Sequence, residues 1–187
     1  PRPDEFKRRL NLNRNVEQEE KYLSVDTWNS WKLVLNDKQV DETERIIAPY
    51  KELVEKINKS ISNIGRAIGH RVWQSIENYI WNYPDVRKAY LCRPADSSDE
   101  DFVKEISKQI DPAFEDQLVQ KIMPKLRGIE TRGESKKVLD EIRTSIETFK
   151  NAGHALNIVP DFENAIKCGD GQFLWVTSEY LNETSEN

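Results

Sequence analysis

A glycine, a histidine and an arginine stand together at Gly69-His70-Arg71, directly in front of a segment with helical periodicity. Glycine should let the chain turn tightly here, and Arg71 would then fall in the first helical turn, where backbone N–H groups and the helix dipole attract anions. A guanidinium beside such donors can contact a phosphate oxygen, in bidentate geometry where the approach allows it. The alternative is that Arg71 forms an ion pair with a carboxylate such as Glu77 or Asp85.

The sequence contains no other arrangement typical of catalysis. Neither Cys92 nor Cys168 stands in a motif with His70 or His154 that would indicate a nucleophile pair or a zinc site. The phosphate-binding loop G-x-x-x-x-G-K-[ST], the G-x-S-x-G elbow, H-E-x-x-H and the calcium-binding loop are also missing. We therefore predict no catalytic residue and no metal ligand in this stretch, and we interpret both cysteines as reduced thiols of a cytoplasmic protein.

Amphipathic helices are the elements that would position the arginine. Because 37% of the residues are hydrophobic and 33% are charged, the apolar side chains must be concentrated on stripes. Apolar residues recur at three- and four-residue spacing in several segments, which this pattern predicts as helices. These are residues 41–61 with Pro49 as a start or a kink, the segment from His70 to just before Pro84, 99–110, 111–128 and 134–153. The sequence therefore predicts a mainly α-helical bundle.

Proline, glycine and serine mark the breaks between these helices. The segment 84–100 is rich in Pro, Ser and Asp and predicts a loop, with Ser97 or Ser98 as the N-cap of the helix that follows. Pro112 fits the first position of a helix, and Gly128 fits a C-terminal stop.

The two ends of the chain differ from the helical centre. Residues 1–21 carry alternating blocks of charge, and Trp28, Trp31 and Leu35 follow at helical spacing. Near the C-terminus a turn at 169–171 precedes the strand-like run "QFLWV", which predicts a short β element. We divide the chain into an N-terminal arm with a Trp-containing connector (1–40), a helical domain (41–156) and a C-terminal extension (157–187).

Charge and hydropathy exclude some classes of protein. A net charge of −5 argues against a surface that binds nucleic acid throughout, because phosphates require a basic surplus. A local basic patch, at "FKRR" or "KLRG", remains a hypothesis. No apolar run approaches the roughly 20 residues that span a bilayer. The chain begins without an initiator Met or a signal peptide, so we expect it to be a piece of a longer protein.

Two blocks of sequence resemble a known family. "IGHRV" at 68–72 and "AFEDQLVQKIMPKLRGIETRG" at 113–133 resemble the C-terminal lid region of McrB-like AAA+ ATPases, the motors of modification-dependent restriction and related antiviral systems. The resemblance covers about residues 45–150, and K-I-M-P-K-L-R-G at 121–128 is its most specific part. The chain departs from the family in that the Walker A loop, the Walker B acid and sensor 1 are missing.

The resemblance implies a small helical lid that closes over a nucleotide, GTP or ATP with Mg²⁺, bound to an AAA+ core upstream in the same chain. It also implies a homo-oligomeric ring, an McrC-type nuclease subunit, indirect contact with DNA and no membrane. Arg71 would be the sensor-2 arginine, with Arg66 as the alternative. Lys125 and Arg127 would contact a neighbouring subunit or a phosphate, or would only be solvated. The stretch alone would not hydrolyse nucleotide.

A second hypothesis is a free-standing helical protein-interaction module, an adaptor without a nucleotide role. The two hypotheses differ at Arg71, because an adaptor should tolerate its replacement by alanine whereas a lid should lose nucleotide turnover.

Overall fold

Helices dominate the structure, as the sequence predicts. The computed structural model describes residues 37–94 and 96–175, all within the unit Val34–Asn187. The helices are α1 (Asp37–Ser62), α2 (His70–Asn82), α3 (Pro84–Leu91), α4 (Asp99–Gln117), α5 (Met123–Leu126), α6 (Gly133–Asn151) and α7 (Ile158–Cys168). A π-helical turn, Leu118–Ile122, joins α4 to α5. The predicted arm at 1–21 and the tryptophan segment lie outside the described residues.

The long helix α1 supplies the centre of the core and packs against α6, α4 and α2. Its apolar stripe is at most 3% exposed and consists of Ile46, Ile47, Tyr50, Leu53, Val54, Ile57 and Ile61. Full burial of one such aliphatic side chain stabilises a fold by roughly 1.5–3 kcal/mol. Pro49 lies inside α1 on the exposed side, so it does not mark the start of this helix.

The segment after Pro84 is a helix, and the predicted loop over 84–100 is wrong for its first half. Pro84 is the first residue of α3, a position where the missing N–H costs nothing. Val86 and Tyr90, four residues apart, are buried, and the Tyr90 ring meets Trp81 edge-on at 5.5 Å. The predicted N-cap is confirmed at Ser98, whose Oγ accepts a hydrogen bond from the Asp101 N–H at 3.1 Å.

Pro112 lies inside α4, so the two helices predicted on either side of it are one. The core explains why the helix continues, since Ile110, Ala113 and Phe114 around the proline are fully buried. Tertiary packing of this face outweighs the loss of one intrahelical hydrogen bond. Gly128 follows α5 with a φ of +76°, in agreement with the predicted stop.

The tight turn before α2 lies at Gly65 and not at Gly69. Gly65 has a φ of +73°, and its N–H donates to the Ser62 carbonyl while the Arg66 N–H donates to the Ile61 carbonyl, both at 3.1 Å. This is the Schellman pattern that ends a helix. Gly69 has φ −69° and ψ 154°, and a Cβ there would meet no atom within 4 Å. The turn predicted at Gly69 is therefore wrong.

The predicted C-terminal β element is reduced, within the described part of the chain, to an isolated antiparallel bridge between Glu130 and Gln172. The Phe173 N–H donates to the Ile129 carbonyl at 2.7 Å. The predicted turn precedes this bridge, with positive φ at Asp170 and Gly171. The domain boundaries at 40/41 and 156/157 stay predictions.

Gly65 offers a direct test of the end of α1. We expect Gly65→Ala to lower the free energy of unfolding by about 1–2 kcal/mol, because an L-residue with a side chain is strained in the left-handed region. Gly65→Asn should cost less, since asparagine adopts this conformation more readily. Urea denaturation of both variants measures the difference, and equal losses would contradict the turn geometry.

Candidate functional site

The connector between α1 and α2 fixes where α2 begins. The N–H of Ile68 donates to Oδ1 of Asn58 on α1 at 2.6 Å, and the Ile68 side chain is buried. Two residues earlier, Nη1 of Arg66 donates to the carbonyls of Lys125 and Arg127, both at 2.7 Å. The connector is therefore tied both to α1 and to the end of α5.

Arg66 serves in this structure as a cap for α5. The Lys125 carbonyl belongs to the last turn of that helix, where no intrahelical donor follows, and Arg127 is its C-cap. A guanidinium satisfies such carbonyls and also interacts favourably with the negative end of the helix dipole. The side chains of Lys125 and Arg127 remain exposed. The structure thus brings three of the four predicted site residues together.

Arg71, the fourth, is exposed in the first turn of α2. Within the described ranges its guanidinium forms no ion pair, so neither Glu77 nor Asp85 is its partner. The first turn of α2 contains no acidic residue, and Gly69 supplies no side-chain cap. The N-terminal N–H groups of α2 and the guanidinium therefore face no competing carboxylate from this turn.

A small depression of about 220 Å³ lies where α2 begins. Its lining residues are Lys51, Val54, Glu55, Asn58, Ile68, Gly69, His70 and Trp73. Glu77 lies near it, and burial raises the pKa of its carboxyl, as does the charge of Glu44, while Lys51 and His70 act in the opposite direction. The lining of the depression combines the ammonium group of Lys51 and the carboxylate of Glu55 with an apolar wall, which suits a small polar ligand or part of a larger one.

A buried polar cluster, which we call the Asp111 cluster (Tyr50, Asp111, His154 and Ala155), was not predicted. Asp111 on α4 is 2% exposed, and its Oδ1 accepts hydrogen bonds from the Tyr50 hydroxyl at 2.8 Å and from His154 Nδ1 at 3.0 Å. Its Oδ2 accepts the Ala155 N–H at 2.6 Å. Burial, followed by the charge of Asp111, raises the pKa of Tyr50. The cluster joins α1, α4 and the loop after α6.

The sequence carried one weak signal for this cluster. Asp111 stands between Ile110 and Phe114 on a helix face that is otherwise apolar, where an acidic residue needs partners. The partners lie 61 and 43 residues away, so their identity depends on tertiary structure. The His154 ring also stacks on Phe149, with centroids 3.8 Å apart. This contact places the second histidine in a structural role.

The described residues form a helical-bundle domain that buries the Asp111 cluster and exposes Arg71 at the start of α2. In particular, a family model described as "Domain of unknown function (DUF8727)" matches residues 22–168. The match spans more than half of the chain, which therefore belongs to this family, and it includes every helix from α1 to α7. No curated protein and no solved structure shows significant similarity to the chain.

The Asp111 cluster should contribute strongly to stability. We expect Asp111→Ala to lower the free energy of unfolding by about 2–4 kcal/mol, because it leaves the Tyr50 hydroxyl and the Ala155 N–H buried without an acceptor. Asp111→Asn should cost less, since its carbonyl oxygen still accepts one of these bonds. Asp41→Ala, at an exposed position of α1, is the control and should change stability by less than about 0.5 kcal/mol.

The two arginines of the connector should behave differently. We expect Arg66→Ala to lower the free energy of unfolding by about 1–3 kcal/mol, because two carbonyls lose a charged donor. Arg71→Ala should stay within about 0.5 kcal/mol of the parent chain, since its guanidinium has no partner within the described residues. Thermal and urea denaturation of both variants test this. A large loss of stability in Arg71→Ala would contradict the absence of a partner for its guanidinium.

Proposed function

We propose that this chain is the C-terminal lid region of an McrB-like AAA+ NTPase motor, in which Arg71 reaches the phosphates of a nucleotide held by the AAA+ core. The observation that carries the proposal is the different state of the two candidate arginines. Arg66 is engaged with two backbone carbonyls, whereas Arg71 is exposed at the start of α2 and free of any ion pair in the described structure. We therefore prefer Arg71 to Arg66 as the sensor-2 residue.

The packing of α2 suits such a role. Trp73, Ile76 and Ile80 anchor the helix in the core, each at most 7% exposed. Catalysis of phosphoryl transfer depends mainly on positioning and on stabilising charge. A guanidinium on a rigidly packed helix can be delivered by closure of the whole lid, without a large loss of backbone freedom at the moment of closure.

The proposal includes the partners that the resemblance implies. The nucleotide, GTP or ATP with Mg²⁺, would be bound by an AAA+ core that precedes this stretch in the same chain. Identical subunits would form a ring with an McrC-type nuclease and contact DNA indirectly in the cytoplasm, as part of restriction or antiviral defence. Lys125 and Arg127, both exposed, would contact a neighbouring subunit or a phosphate. Among the described residues, no helix is long and apolar enough to cross a bilayer.

The test is nucleotide hydrolysis by the natural full-length protein assembled with its nuclease partner. We expect Arg71→Ala to lower GTP or ATP turnover by about 10-fold or more, because a charge that stabilises the phosphates is lost. Arg71→Lys should restore part of the rate. The melting temperature of the protein should not change, which separates a loss of chemistry from a loss of folding.

Arg45→Ala is the control, since Arg45 is also an exposed arginine on a helix, namely α1. Turnover in this variant should equal that of the parent protein. A full-length protein without NTPase activity, or one in which Arg71→Ala turns over normally, would contradict the lid proposal. The second outcome would favour the adaptor hypothesis.

A further inference from the structure

One end of the molecule carries a concentration of exposed positive charge, although the chain as a whole is acidic. We call this surface the basic end and define it by residues 121–137. It contains two carboxylates, Glu130 and Glu134, and a larger set of exposed cations, namely Lys121, Lys125, Arg127, Arg132, Lys136 and Lys137. The whole chain has a net charge of −5, so the residues outside the basic end together carry the excess of negative charge.

The fold adds further cations from α1 to the basic end. Arg66, through its bonds to the carbonyls of Lys125 and Arg127, lies directly against it. Lys56 and Lys59 line an open groove of about 810 Å³ together with Lys137. Residues distant in sequence are therefore gathered on one surface, although Asp140 and Glu141 at the α6 side of the groove reduce its positive charge.

Most cations of the basic end lack an internal partner. In the described part of the chain, Lys137 alone among them forms an ion pair, with Glu134 on the same helix. By contrast, the half-buried Arg93 is paired with Glu42 and Asp99, and the half-buried Arg143 is paired with Glu147 and Glu163. Unpaired like charges repel one another and favour binding of an external anion.

The basic end exposes no large apolar side chain, and this indicates which kind of anion it can bind. The large apolar residues of 121–137 are Ile122, Met123, Leu126 and Ile129, and with Val138 just beyond them all are at most 6% exposed, whereas the small ring of Pro124 is exposed. A protein partner would be expected to bury an apolar or aromatic centre, which this surface does not offer. A nucleic-acid backbone needs only spaced cations and backbone donors.

We propose that the basic end binds the phosphodiester backbone of nucleic acid, without sequence preference. The inference does not depend on the nucleotide role of Arg71. The negative charge on the rest of the molecule repels the polyanion, so binding is confined to this end and is weakened strongly by salt. The expected dissociation constant is about 1–100 µM at physiological salt, in the range of non-specific binders.

The experiment is fluorescence anisotropy of labelled mixed-sequence 25-mers, as duplex DNA, single-stranded DNA and single-stranded RNA, with the 187-residue chain. The variant Lys125→Gln/Arg127→Gln/Arg132→Gln removes three exposed side chains and leaves the carbonyls that Arg66 contacts. We expect it to weaken binding about 10-fold or more at low salt and to reduce the slope of log K against log salt by about 3.

Two further variants make the result specific. Lys88→Gln/Lys104→Gln/Lys150→Gln makes the same change in net charge at exposed positions outside the basic end, and it should change affinity less than about 3-fold. Lys7→Gln/Arg8→Gln/Arg9→Gln tests the "FKRR" segment and should also retain binding. The melting temperature of each variant shows whether it is folded.

Several outcomes would overturn the inference. One is the absence of oligonucleotide binding at 20 mM salt. Another is an equal loss of affinity in the control variant, or a loss that occurs only in the "FKRR" variant. Competition by polyglutamate as effective as that by an oligonucleotide of equal charge would assign the basic end to acidic protein segments instead.

Discussion

A buried carboxyl group holds together three parts of this bundle that are far apart in sequence. Asp111 accepts hydrogen bonds from Tyr50 on α1 and from His154 and Ala155 in the loop after α6. A buried acidic group without such partners would be strongly destabilising, so the cluster allows few alternative packings of α1, α4 and α6. Aromatic rings pack around the cluster: the Tyr50 ring contacts those of Phe114 and Phe149 edge-on, with centroid distances of 5.0 and 5.2 Å.

The start of α2 depends on this arrangement through α1. The core fixes α1, the Schellman turn at Gly65 ends it, and Asn58 and Arg66 then hold the connector at two points. Arg71 follows within a few residues, so its backbone position is fixed, although its guanidinium forms no ion pair within the described residues. Two arginines in one short connector thus have different roles, one in the architecture of the fold and one available for an external partner.

The distribution of charge is the second organising feature. Carboxylates pair with Arg93 and Arg143, whereas the cations between α5 and the start of α6 are mostly unpaired within the described residues. Such an uneven distribution of charge orients the molecule near a polyanion, with the basic end towards it. In the two proposals the anion at Arg71 and the polyanion at the basic end are different ligands.

The periodicity of the sequence determined the main helices, because each of them has one apolar face. The residues of that face are buried, as α1 and α6 show. Local chemistry also predicted the stop at Gly128 and a serine cap at Ser97 or Ser98, which the structure assigns to Ser98. The sequence did not determine that α4 continues through Pro112 or that Pro84 begins a helix, because burial of the flanking residues outweighs the local effect of proline. The sequence favoured Arg71 as the anion-binding arginine and left Arg66 open as the alternative. Only the tertiary structure, which placed the free carbonyls of Lys125 and Arg127 beside Arg66, decided which guanidinium is engaged and which is free.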